Sequence, residues 1–156
     1  MLTQLKPQLA KLIKPTKLHF YNPKIGSKII PLFGYKVSAG FPSPADDHLE
    51  KDLDLNDLLI SKPNSTYFVR VEGYSMTGAG ITDGDILVVD RSLEPRNNDI
   101  IIATLDNELT VKKYCFKKQQ LWLMPENPKY KAILISEDTD FSIFGVVTSV
   151  IHQFRT

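Results

Sequence analysis

From Thr66 to Ile151 the chain is a succession of short segments rich in Val, Ile, Phe and Tyr, cut at fairly regular spacing by turn residues. "TYFVRVEG", "GDILVVDR", "DIIIATLD", "ELTVKKYCF", "QLWLMPEN", "KAILIS" and "SIFGVVTSVI" follow one another in this way. Each is short for a helix and suits a half-buried strand. Two junctions read as hairpin turns: "LDNEL", and the polar tip of "CFKKQQLWL". The body is expected to be mainly β, a compact and mostly antiparallel domain.

The first 38 residues differ. Pro7, Pro15, Pro23 and Pro31 punctuate them, and proline breaks helix interiors. An extended, flexible arm is expected, too interrupted for a helix-turn-helix DNA-binding domain. "KIIPLFGYKV" reads as extended, "SAGFPSPADD" as turn-rich, and "DLNDLLISK" as a short helix ended by Pro63. Residues 1–45 hold seven lysines and no Asp or Glu, whereas 46–156 hold 12 basic and 18 acidic residues. A solvated tail would satisfy these counts. The sharper reading is a basic arm that lies on its own acidic body or on an acidic partner.

No apolar run approaches the ~20 residues that span a bilayer, and the N-terminus lacks a signal peptide's apolar core and cleavage site. A cytoplasmic protein is expected. The single cysteine, Cys115, cannot make an internal disulfide, in keeping with a reducing compartment. Three scattered histidines and one cysteine offer no metal-ligand spacing, so neither metal nor cofactor is expected.

"VEGYSMTGAGITDGD", Val71 to Asp85, holds one serine, Ser75, with glycines around it. If Ser75 is a nucleophile, some group must take its proton. His19, His48 and His152 lack a flanking motif and read as surface residues. Lysine is the other known partner of a catalytic serine, but it must be neutral to act as a base. A free lysine has a pKa of ~10.4, and lowering it to ~7 costs roughly 4–5 kcal/mol, which burial in an apolar setting supplies. The base must then lie within a strand. "ELTVKKYCF" offers Lys112, on a face with Thr110, Tyr114 and Phe116, and Lys113, on a face with Leu109, Val111 and Cys115. Periodicity does not choose between them. Both could also be solvated on an edge strand.

"GYSMTGAGITDGDILVVDR" followed by "ELTVKKY" resembles the LexA/UmuD family of self-cleaving serine peptidases. "GFPSPADD", "DLNDLLI", "TYFVRVEGYSM", "ITDGDILVVD", "TVKK" and "SEDT…FGVV" resemble its UmuD branch in the same order. The likeness runs from about residue 33 to 156. It implies a LexA-like peptidase β domain over 40–156 and an N-terminal arm, 1–39, removed by self-cleavage. It further implies Ser75 as nucleophile, Lys112 as general base, and cleavage between Ala39 and Gly40. Lys113 would then face elsewhere. Ala39 is the choice typical of LexA-like repressors, and the arm is longer than is usual for the UmuD branch.

The resemblance also implies partners. A RecA filament on single-stranded DNA would activate cleavage. The processed form, a homodimer, would serve a UmuC-type subunit of an error-prone translesion polymerase in the SOS response. Backbone N–H groups near Ser75, including its own, would hold the oxyanion, and Gly73 would let that backbone approach closely. No sequence-specific DNA binding is expected. The alternatives are a LexA-type self-cleaving repressor or repressor fragment, and a peptidase-dead binding module of the same fold. Other residues read plainly: Asp83, Gly84 and Asp85 as a turn, Met76 as packing, Trp122 as core or dimer packing, and Lys117 and Lys118 as a solvated hairpin tip.

Overall fold

The computed structural model describes residues 19–21, 29–33, 39–40 and 49–155, with backbone alone for 19–21, 29–33 and 49–52. Residues 1–18 and the turn-rich run 41–48 lie outside the described residues. Ten strands are described: β1 (His19–Tyr21), β2 (Ile29–Phe33), β3 (Leu49–Asp54), β4 (Thr66–Arg70), β5 (Ile86–Asp90), β6 (Ile100–Leu105), β7 (Glu108–Lys117), β8 (Gln120–Met124), β9 (Ile133–Ile135) and β10 (Phe141–Ile151). Eight form one sheet in the order β1-β4-β5-β10-β6-β7-β8-β9, and β2 pairs with β3. Every pairing is antiparallel. The expected mainly-β body is present.

Local chemistry explains the turns. Asp106 and Asn107 join β6 to β7 with φ 49° and 66°, and Lys118 and Gln119 join β7 to β8 with φ 50° and 59°. Two consecutive left-handed residues match the twist of the flanking strands, so both hairpins are tight. The short helix α1 (Leu55–Leu59) starts where the Asp54 carboxylate accepts from the Asn56 amide, a side-chain cap. It ends before Pro63.

Alternation along the strands builds apolar packing on both faces. One cluster joins Val69, Val71, Met76, Ile81, Leu87, Val89, Ile102 and Val111. The other joins Ile101, Ala103, Leu123 and Val146. Ile101 and Ile102 are neighbours in β6 yet belong to different clusters, as the period of two requires. Met76 and Ile81 come from the excursion between β4 and β5, so the core itself holds that loop down.

Two features of β10 were not expected. β10, the last strand, is inserted between β5 and β6. It shifts register twice, between Ile143 and Gly145 and between Val147 and Ser149. Part of the arm lies on the body, as the sharper reading of the arm expects. β1 pairs His19, Phe20 and Tyr21 with Arg70, Val69 and Phe68 of β4, and β2 pairs with β3.

Gly145 sits at the first of the β10 irregularities. A Cβ there would lie 2.8 Å from Val89 Cγ1 and 3.0 Å from the Asp90 carbonyl oxygen. Gly145→Ala is expected to destabilise the fold by about 1–3 kcal/mol through overpacking, measured by urea unfolding. An unchanged midpoint would mean that β10 shifts freely.

Candidate active site

The excursion that carries Ser75 is fastened at its root. The Val71 amide donates to the Asp85 carbonyl, and the Gly84 amide donates to the Val71 carbonyl. The turn read at Asp83–Asp85 is therefore part of the support. Asp83 Oδ1 accepts from the Gly73 amide at 2.7 Å. Asp85 Oδ2 accepts from the Thr82 amide and hydroxyl. Gly73 has φ 106°, a conformation open to glycine and strained for other residues. Its amide is engaged by Asp83, so Gly73 contributes backbone shape and not an oxyanion donor. Among the described residues, no backbone carbonyl takes up the Ser75 or Met76 amide.

Beyond Gly73 the chain turns inward. Ser75 is buried at 8% exposure, Met76 at 2%, and Thr77–Ala79 form one 3-10 turn. The other half of the site comes from mid-β7. Lys112 lies opposite Ile101 and Lys113 opposite Ile100. Lys112 is 5% exposed, whereas the Lys113 side chain is 30% exposed. The question left open by periodicity is answered by burial: Lys112 points inward, toward Ser75.

Lys112 Nζ donates to Ser75 Oγ at 3.1 Å, to Thr110 Oγ1 at 2.9 Å and to the Val111 carbonyl oxygen at 2.9 Å. Three acceptors match the three protons of an ammonium group. Burial removes water from that charge and pulls the Lys112 pKa from 10.5 down to about 8. At pH 7 roughly a tenth of the molecules then hold a neutral amine. A neutral amine keeps two donors. With these on Thr110 and Val111, its lone pair is left facing the Ser75 hydroxyl. The arrangement can remove a proton from Ser75 without moving a heavy atom.

Thr110 belongs to this site, although sequence reasoning placed it only on the Lys112 face. Two residues earlier in a strand is the signal that could have found it. The histidines take no part through any contact described. His152 is exposed, as read, and its Nδ1 also meets the buried Asp85 Oδ1 and Thr82 Oγ1. The side chains of His19 and His48 lie outside the described residues. Ala39 and Gly40 form an exposed bend. Among the described residues, no cluster of His, Cys, Asp and Glu could hold a metal ion, and no helix is long and apolar enough to cross a membrane.

The Peptidase S24-like family model matches residues 31–148, which span both the Ser75 loop and the Lys112 strand. The chain belongs to that family. Its members are in general self-cleaving serine peptidases. Protein ImpA of Escherichia coli is 44% identical over 130 residues, covering 83% of this chain and 88% of its own length. Protein MucA of Escherichia coli is 42% identical over 120 residues, covering 76% and 82%. The LexA repressor of Bordetella parapertussis is 35% identical over 131 residues, covering 84% of this chain and 60% of the repressor. The LexA/UmuD kinship read from the sequence is borne out.

A buried ammonium opposes folding, which gives a stability test of the site. Unfolded, the lysine titrates near 10.5; folded, it titrates near about 8. Below about pH 8 both states are charged and the full penalty applies. Between 8 and 10.5 only the unfolded state keeps the proton, so stability rises with pH. Lys112→Met is expected to stabilise the protein at pH 7 by on the order of 1–3 kcal/mol, with the gain gone above about pH 10.5. Urea unfolding across this range checks it, and a gain independent of pH would show that Lys112 is not desolvated.

Proposed function

We propose that the chain is a serine peptidase that cuts its own Ala39–Gly40 bond. The observation that carries this reading is the buried Lys112 Nζ at 3.1 Å from Ser75 Oγ. Neutral Lys112 takes the hydroxyl proton as Ser75 Oγ attacks the Ala39 carbonyl carbon. Amides at Ser75 and its neighbour stabilise the oxyanion. The C–N bond breaks, and Lys112 gives its proton to the leaving amine of Gly40. Water then releases the acyl group from Ser75, with Lys112 again as base. Small residues on both sides of the bond suit entry into a tight site. Tethering supplies the effective concentration that a substrate pocket would otherwise provide.

A self-cleaving chain must avoid cutting itself at once. The bond is docked on Ser75 only in a minor state, and a RecA filament on single-stranded DNA favours that state. The processed body, 40–156, then acts in the cytoplasm as a homodimeric accessory subunit of a UmuC-type, error-prone translesion polymerase during the SOS response. Charge supports a change of partner. Losing residues 1–39 removes all seven lysines of the basic arm and takes the protein from +1 to a net −6 before the new termini are counted. A dimer also lets one arm reach its neighbour's site.

Intact mass after incubation across pH 6–10 tests the peptidase. Fragments 1–39 and 40–156 are expected, with a rate that rises with pH and levels off above about 8 as Lys112 loses its proton. Ser75→Ala and Lys112→Ala should stay intact. A wild-type chain that remains intact at every pH, and with RecA filaments added, would leave a binding module of the same fold.

A further inference from the structure

Lys113 was expected to face elsewhere. The structure gives it a partner, Glu126, just past the end of β8. Glu126 is also joined to the nucleophile loop through its backbone. Its amide donates to the Ser75 carbonyl oxygen at 2.9 Å, and its carbonyl accepts from the Gly78 amide at 2.6 Å. The next residue adds a third bond: Asn127 Nδ2 donates to the Tyr74 carbonyl oxygen at 2.7 Å. Gly78 is shaped to this contact, because a Cβ on it would lie 2.6 Å from the Glu126 carbonyl oxygen.

These bonds have one geometric result. Residues 74–78 are laid against 126–127, and 126 is tied by its side chain to the residue after Lys112. The nucleophile and the base come from distant parts of the chain, and Glu126 is the residue that touches both supports. The pair is about a third exposed on each side, so its direct contribution to stability is small. Its position is what it offers.

We infer that Lys113 and Glu126 form a positioning pair, which sets the approach of Ser75 Oγ to Lys112 Nζ. The inference rests on the peptidase reading above. Neither residue touches the reacting atoms. Loss of the pair frees the 126 segment to shift, and the Ser75 loop shifts with it. A displacement near 1 Å at a reacting centre costs up to ~100-fold in rate.

The test uses the full chain with Lys113→Met, Glu126→Leu and the charge-keeping Lys113→Arg. Two rates are read: self-cleavage by intact mass, and labelling of Ser75 by a fluorophosphonate, which requires an activated serine but no cut. Both neutral variants are expected to slow both rates by ~10-fold, with melting temperatures within a few degrees of wild type. Lys113→Arg is expected to restore both rates to within about threefold. The alkaline midpoint of labelling should not move, because the burial of Lys112 is untouched. Wild-type labelling rates in both neutral variants would overturn the inference, as would Lys113→Arg being as slow as Lys113→Met. A wild type that labels but never cleaves would overturn the self-cleavage reading alone, and the labelling rates would still decide this one.

Discussion

An amine taken out of water is the constraint around which the molecule is arranged. Lys112 is 5% exposed, and its charge is met by one hydroxyl from the loop, one hydroxyl from its own strand and one backbone carbonyl. No carboxylate is among those partners. A carboxylate would hold the proton on and defeat a base; hydroxyls and a carbonyl satisfy the ammonium without trapping it. Burial of the amine makes the fold less stable and brings the loss of its proton closer to neutral pH. Such a site needs a rigid surround, and the sheet on one side and the packed Met76 and Ile81 on the other supply it.

The loop that carries Ser75 is held by backbone bonds at several points. Asp83 takes the Gly73 amide, Asp85 organises the turn beneath it, and residues 126 and 127 hold the far side. A serine on a long connection between two antiparallel strands would otherwise sample many positions. Here the ordering entropy is met by short, mostly local contacts and by two apolar anchors. Among the described residues, every buried side-chain polar atom has a partner, which fits a site preformed before any substrate segment arrives.

Much of the body was legible in the sequence because β-strand periodicity and turn chemistry are local signals. The two tight hairpins needed only "DN" and "KQ" between apolar runs. The insertion of β10 between β5 and β6 was not legible, since pairing over long separations leaves no local trace. β1 was missed for a related reason: His19–Tyr21 is too short to show a period. At the site, alternation narrowed the base to two adjacent lysines and could go no further, because Lys112 faces Ile101 and Lys113 faces Ile100, both apolar. The family resemblance chose Lys112, and the physical difference between the two lies in burial against the Ser75 loop. Glu126 was silent in the sequence because two of its three links are made by backbone atoms, which any residue carries.

Under the proposed cleavage, the strands of the arm would give cutting and letting go different physics. β1 and β2 both precede Gly40, yet they pair with β4 and β3, which follow it. Hydrolysis of one peptide bond leaves those ladders untouched. A clipped molecule would therefore persist as two pieces joined in two sheets, until three residues of β1 leave the large sheet and five of β2 leave β3. The covalent event would set a clock and strand dissociation would read it. Dilution, temperature and competing strands would act on the second step alone, and the outer edge of β4 would open only when that step is complete.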